Sequence, residues 1–441
     1  MTRGDSIVTR WLRTAPPALF ALYGGGAAFA AYFAMYAFRK PFTSASYVHV
    51  PGWPFAIDFK VVIVIAQVAG YALSKILGIK IVSEMPPARR GAAILLLIGL
   101  SELALVGFAV LPPVLAVAGL FLNGLALGMI WGLVFGFLEG RRLTEVLGAM
   151  LCATFILASG VVKSVGETVL QNAWATERWM PATTGLLFTP LLLAAVWALV
   201  QLPPPDAADE AERRPRTPMN ATQRAALFAA HAPALIALIA IYVLLTALRD
   251  FRDNFAAEIW GELGFGGEAS IFTWSEVPVA VIVLGALGLL MLVRDNANAV
   301  LWNLRLIAIG LATLGIATAA FQLGWIGPVW WMVAIGAGLY LAYTPFNALL
   351  FDRLMAATAF AGNAGFLIYV ADASGYCGSV ALLLLRSFGH VSLNWSGFLC
   401  DICYATCAIG LVATAWAIRR FRAVLRTDGD RPSWCEATAT T

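Results

Sequence analysis

Charge is what this chain has least of. Lys and Arg number 29 and Asp and Glu 25 among 441 residues, 12% in all, about half the share found in soluble globular domains. With 61% hydrophobic residues and a mean hydropathy of +0.81, this composition excludes an ordinary soluble domain and implies a polytopic membrane protein. Histidine is scarcer still: His49, His231 and His390 are the only three. They are scattered, no nucleophile, base and metal constellation appears, and so neither an enzyme nor a cofactor is expected. Six cysteines do not make a disulfide framework. Cys400, Cys403 and Cys407 line one side of the last hydrophobic run as small apolar residues, three sulfurs lacking a fourth ligand for a metal, and Cys435 lies in the tail. The net charge of +4 reflects basic loops rather than a nucleic-acid partner.

What is there is hydrocarbon-length apolar sequence, repeated. A helix rising ~1.5 Å per residue needs about 20 residues to cross ~30 Å of bilayer. About twelve such spans are expected, at 18–47, 60–82, 91–110, 113–138, 145–170, 182–202, 231–259, 270–294, 298–322, 328–350, 357–386 and 394–419. The fold class is therefore all-α, in two pseudo-symmetric six-helix bundles.

Positive charge falls on alternate connections: Arg3, Arg10 and Arg13, then Arg89 and Arg90, Arg141 and Arg142, Arg294, Arg353, and Arg419, Arg420, Arg422 and Arg426. The loops around Leu111 to Pro113 and Gly324 to Pro328 carry no Lys or Arg. This bias places both termini in the cytoplasm of a cell inner membrane protein, its first helix retained rather than cleaved as a signal peptide. Pro203, Pro204 and Pro205, followed by mixed charge, form a segment that cannot bury a core. The expected organisation is a first bundle over 1–202, a linker over 203–230, a second bundle over 231–420 and a tail over 421–441, acting as a monomer in the lipid bilayer.

Two arginines stand inside apolar runs at matched spacing: Tyr32 to Arg39 with Ala37, and Tyr242 to Arg249 with Ala247. An arginine near a bilayer centre costs roughly 2.5–3.5 kcal/mol on insertion scales and usually faces a cavity. The match suggests one site built twice. Tyr32, Tyr36 and Arg39 fall at i, i+4 and i+7 on one helical face, and a guanidinium fork beside phenols suits a carboxylate or phosphate. The alternative is that Arg39 ends the helix and snorkels, with Pro41 as breaker. Lys40 points elsewhere, toward a neighbour.

In the second span Gln67, Tyr71 and Lys75 recur every four residues, so one face is polar. Lys75 lines the cavity or pairs with Glu102 of the third span. Gly124, Gly128, Gly132, Gly136 and Gly140 form a close-packing strip, beside which Asn123 and Trp131 reach the cavity. Lys163 and Glu167 stand one turn apart as a mutual pair or an outer gate. In the seventh span Arg249 and Asp253 are a turn apart, so Asp253 holds Arg249 or competes with substrate for it. Glu276 is a candidate proton carrier or a partner of Arg252 or Arg249. Asp372, in a stripe with Tyr369 and Tyr376 on a glycine-rich eleventh span, is a second proton candidate or a structural hydrogen-bond partner.

These residues resemble the major facilitator superfamily over nearly the whole chain, and within it the organophosphate:phosphate antiporters. The resemblance rests on Tyr36, Arg39, Lys40 and Phe42, on Gly70 to Lys75 with Tyr71 and Ser74, on Gly128 to Trp131, on Arg249 and on the glycine-rich eleventh span. Gly78, Ser83, Glu84, Arg89 and Arg90 stand where the superfamily's loop motif falls. The resemblance implies that Arg39 and Arg249 grip phosphate and that Lys75 and Trp131 line the same cavity. The fifth-span histidine of those antiporters is absent, and Asp250 and Asp253 are unlike them. An uncharacterised bacterial branch of the superfamily is the other assignment, and fold does not carry substrate identity.

The functional expectation is a secondary transporter of a small organic anion, phosphorylated in one version, working by alternating access. Substrate contacts are Arg39, Arg249, Lys75, Tyr36, Tyr32, Tyr71, Gln67 and Trp131. Coupling or gating falls to Glu276, Asp372, Asp253, Lys163 and Glu167. A non-transporting sensor of an anionic ligand on the same fold is the alternative.

Overall fold

The computed structural model describes residues 6–141, 143–206, 209, 221–357, 364–388 and 394–429. Arg142, Gly362, Asn363, His390, Cys435 and most of the central linker lie outside them. Every regular element among the described residues is helical. Eleven helices are long and apolar enough to cross a membrane: Pro17–Tyr36, Phe59–Gly78, Pro87–Val110, Pro113–Phe135, Val146–Gln171, Met180–Val200, Ala232–Asn254, Ile271–Met291, Asn296–Gln322, Pro328–Ala348 and Trp395–Ala423. The helix Ala364–Phe388 packs between the second and seventh helices and occupies the eleventh place, so ordinals below run from first to twelfth.

Prolines set several starts. Pro17, Pro87, Pro113 and Pro328 open their helices, where a missing N–H is lost from no hydrogen bond and the fixed φ is already helical. Proline also explains the largest difference from the expected boundaries. The first span, expected over 18–47, ends at Tyr36, because Pro41 cannot donate to the carbonyl of Ala37 and its ring crowds that carbonyl. The chain tightens instead into Ala37 N to Ala34 O, Phe38 N to Met35 O and Arg39 N to Tyr36 O, then a short 3-10 turn at Pro41–Ser44. Arg39 therefore sits in a turn rather than at the third step of a helical stripe.

Two helices extend beyond expectation. The seventh begins at Ala221, so the last ten residues assigned to the linker continue that helix, and the twelfth runs over Trp395–Gly429. A further helix, Ile7–Thr14, precedes the first span; Ser6 caps it by accepting from Thr9 N at 3.0 Å. Thr9 Oγ1 donates to Gln201 O at 2.9 Å, which ties the start of the chain to the end of the sixth helix.

Glycines allow the tightest packing. A Cβ on Gly124 would lie 2.1 Å from Gln67 O, and one on Gly70 2.0 Å from Phe121 O, so the second and fourth helices touch backbone to backbone. Gly128 faces Ser74, Gly132 faces Val82, and Gly136 faces Arg90, as the strip requires; Gly140, at φ +80, instead serves a turn. Gly124→Ala should therefore lower thermal stability by more than the 1–3 kcal/mol typical of overpacking, because rigid backbone stands in the way. Gly99, with nothing within 4 Å of its added Cβ, is the control: Gly99→Ala should leave the melting curve unchanged or raise it slightly.

The bundles are tied together at the end away from Ile7–Thr14. Lys60 Nζ pairs with Glu258 Oε1 at 2.6 Å, Ser164 Oγ and Thr273 Oγ1 share a hydrogen bond at 2.6 Å, and a Cβ on Gly160 would lie 2.3 Å from Phe272 O. That end is closed.

Candidate functional site

The turn that carries Arg39 exposes carbonyls that no helix uses, and two buried amides take them. Asn123 Nδ2 donates to Phe38 O at 2.9 Å and to Ser101 Oγ at 2.7 Å. Gln67 Nε2 donates to Arg39 O at 2.9 Å and to Asn123 Oδ1 at 2.7 Å. Expected as a substrate contact, Gln67 instead spends its amide on the backbone and lies behind the turn. Asn123 is placed the same way. Both fix where the guanidinium points.

In front of that turn is a narrow cavity between the bundles, about 40 Å³ in volume. Of the residues expected there, Tyr32, Tyr36, Arg39, Tyr71, Lys75, Trp131, Arg249, Asp253 and Asp372 all line it. Lys40, Asp250, Tyr343 and Tyr376 join them. Glu276, Lys163 and Glu167 do not line it.

The pairing of charges differs from the sequence expectation. Lys75 Nζ meets Asp372 Oδ2 at 2.9 Å, not Glu102, and Asp372 also accepts from Tyr242. Arg249 pairs with its neighbour rather than with Asp253 a turn away: Nε and Nη2 reach Asp250 Oδ1 at 3.0 and 2.7 Å, and Nη1 donates to Tyr343. Asp253 turns to the other bundle. Its Oδ2 meets Lys40 Nζ at 2.5 Å, and its Oδ1 accepts from Lys163 and, at 2.5 Å, from Ser159. Lys163 is thereby taken from Glu167, which accepts from Gln171 at 3.2 Å. Glu276 is ion-paired with Arg252 at 2.8 Å, so it is not the lone carboxylate that proton carriage was expected to need.

Arg39 is the exception. It is 7% exposed, its Nε has no hydrogen-bond partner, and among the described residues no carboxylate lies within ion-pair distance of it. Its Cζ stands 3.8 Å from the centroid of the Tyr71 ring and 5.9 Å from that of Tyr36, which offsets part of the desolvation through the ring quadrupoles but satisfies no N–H. Trp131, on the same wall, has a buried Nε1 also without a partner. Tyr32 and Tyr71 hydroxyls lie 3.3 Å apart, and Tyr71 packs edge-on against Tyr376 at 5.4 Å.

The matched arginine runs thus end differently. One reads Arg39-Lys40 and the other Arg249-Asp250, and this reversal of charge gives Arg249 an internal partner while leaving Arg39 open. Four basic and three acidic side chains line the cavity, an excess of one positive charge. The signal for the missed Tyr343 was present: Tyr340 and Tyr343 are the only phenols in an apolar tenth helix, three residues apart and on one face. Tyr340 OH donates across the bundles to Phe155 O at 3.1 Å, and Arg249 Cζ stacks 4.6 Å from the Tyr343 centroid.

Solved structures share this architecture. A D-xylose-proton symporter superposes with a TM-score of 0.58 at 16% identity, covering 91% of this chain and 96% of its own. A peptide transporter, POT, solved in complex with sulfate gives 0.61 at 15% identity, covering 95% and 99%. At such identities the likeness establishes the fold that these two structures share with this chain, and gives no ground for the organophosphate:phosphate antiporter branch. No curated protein matches the chain in sequence. Residues 41–423 match the model of a family of unknown function, DUF5690, and the chain belongs to that family.

Proposed function

We propose that this protein is a secondary transporter that carries a small organic anion by alternating access, with the anionic group seated on Arg39. One observation carries the reading: a buried guanidinium, without a carboxylate and with an unsatisfied N–H, faces a cavity between two bundles. A buried donor left unpaired costs about 1–3 kcal/mol, and an incoming carboxylate or phosphate oxygen removes that cost. Tyr36, Tyr71 and Trp131 supply the surrounding wall. Lys75 and Arg249 are second-line contacts, available when the anion draws them from Asp372 and Asp250. The single excess positive charge favours a monoanion. A phosphate dianion, as in the organophosphate version, requires that Arg249 leave Asp250.

Asp253, bound to Lys40 and Lys163 of the other bundle, is the latch of the closed end, assisted by Lys60 and Glu258. Both termini are assigned to the cytoplasm, which makes the closed end the outer one. A sensor on the same fold is the second reading, favoured by the number of cations already paired within the protein.

The test is thermal stability of the purified protein against phosphate, sugar phosphates, carboxylates and neutral sugars. A ligand at 100 times its Kd stabilises by about 2.7 kcal/mol. Stabilisation by an anion and by no neutral sugar is expected. Counterflow of that anion in vesicles then separates a transporter from a sensor, and stabilisation by neutral sugars alone would reject the anion site.

A further inference from the structure

Glu276 and Asp372 each hold a basic partner; Glu102 stands apart, among the described residues, as a carboxylate with both oxygens buried and unpartnered. It lies in the third helix, Pro87–Val110, where the chain makes room for it with a glycine: a Cβ on Gly185 of the sixth helix would stand 2.6 Å from Glu102 Oε2 and 2.8 Å from Phe38 Cδ1. The carboxyl therefore shares one small space with the ring of Phe38, the residue immediately before Arg39.

Arg178 reaches the third helix at Phe108 O and its end at Leu111 O, beyond the turn that carries Glu102. The helices packed against the third, Pro113–Leu127, Ile130–Phe135 and Met180–Val200, contain no ionisable side chain. Arg39 and Lys40, in the turn that follows Phe38, are directed to the Tyr71 ring and to Asp253. On its own helix the nearest charges are Arg89 and Arg90, three turns away, and Arg90 donates to Gly136 O. A carboxylate with no cation and no donor is expensive in such surroundings, whereas a carboxylic acid is not.

We infer that Glu102 is a proton-binding site, holding its proton while Phe38 is packed against it and releasing it when the Phe38–Arg39 turn moves. Release is a simple ionisation: the O–H bond breaks, the electron pair stays on the carboxylate, and the proton passes to water admitted by the displaced ring. Two contact routes join the sites. Phe38 touches the Gly185 gap and precedes Arg39 in the chain. Ser101, adjacent to Glu102, accepts from Asn123, which donates to Phe38 O. Proton occupancy at Glu102 and the position of the anion-binding guanidinium are thereby linked, and reciprocally so.

The experiment uses the full-length protein in lipid nanodiscs without any added anion, so its outcome is independent of the anion reading. Infrared difference spectra on stepping from acid to alkaline pH should show loss of a protonated-carboxyl C=O band that shifts in D2O. Glu102→Gln should abolish that band, while Glu276→Gln and Asp372→Asn keep it. Glu102→Asp, which retains a carboxyl should the glutamine variant fail to fold, should move its position and midpoint. Phe38→Ala should lower the midpoint by at least about one pH unit, a tenfold loss of proton affinity, because water then solvates the carboxylate. Absence of the band in the wild type, or its persistence in Glu102→Gln, overturns the site; an unmoved midpoint in Phe38→Ala overturns its link to the turn.

Discussion

Arg39→Gln is expected to abolish anion-dependent stabilisation and uptake while leaving a folded protein in good yield. The asymmetry of its surroundings is the reason. Arg39 has no carboxylate to orphan, so a neutral side chain leaves behind no uncompensated charge and removes a buried cation whose desolvation is only partly offset by Tyr71 and Tyr36. Without anion, the variant should be as stable as the wild type or more so. With anion, losing one partner of a buried charge-assisted pair costs roughly 2–5 kcal/mol, or about 30- to 4,000-fold in affinity. Arg39→Lys should not restore binding, since a single ammonium cannot stack on Tyr71 and present two parallel donors. Retained anion stabilisation in Arg39→Gln would remove Arg39 from the site.

Arg249→Gln should behave in the opposite way. It leaves Asp250, whose Oδ2 accepts from Ser379 at 2.7 Å, without its cation in a buried position, and breaking such a pair is typically destabilising by about 3–5 kcal/mol. Its first effect is on folding. Arg249→Gln combined with Asp250→Asn should recover stability, and any anion binding then measured reports what Arg249 contributes beyond holding Asp250. The same melting curves, with and without anion, therefore separate the two arginines that the sequence makes look equivalent.

How much of this was legible in the chain depends on the range of the physics involved. The order of helices was readable because hydropathy is a one-dimensional signal, and the cavity residues because a polar group in an apolar span needs somewhere to point. Tyr32, Arg39, Lys75, Trp131, Arg249 and Asp372 come together for that reason. Partner choice was not readable. Spacing along one helix suggests Arg249 with Asp253 and Lys163 with Glu167, yet Asp253 and Lys163 find each other across the bundle interface, a distance sequence does not encode. Gln67 shares a stripe with Tyr71 and Lys75 but is captured by the carbonyl of Arg39, which is free only because Pro41 ends the helix. The breaker was visible in the sequence; its effect on a residue 26 positions later was not.

Asp253→Asn should open the closed end. In the state described here one carboxylate answers two buried lysines, Lys40 and Lys163, with side-chain exposures of 6% and 3%. Asparagine keeps the shape and the bond from Ser159 but leaves both ammonium groups without a counter-charge. A penalty of about 3–5 kcal/mol is expected in this conformation, and parting of the bundles would relieve it by admitting water to the lysines. A differential of that size shifts a two-state equilibrium by roughly 150- to 4,000-fold. The population can be read with a crosslink. In a background with the native cysteines replaced, Ser164→Cys and Thr273→Cys stand where the two hydroxyls are now 2.6 Å apart. They should join efficiently when Asp253 is present and poorly in Asp253→Asn. Replacing Lys40 and Lys163 by methionine together with Asp253→Asn removes the unpaired charge and should restore the crosslink, an outcome that general unfolding would not give. Equal crosslinking with and without Asp253 would mean that Lys60–Glu258 and the Gly160–Phe272 backbone contact hold the end shut alone.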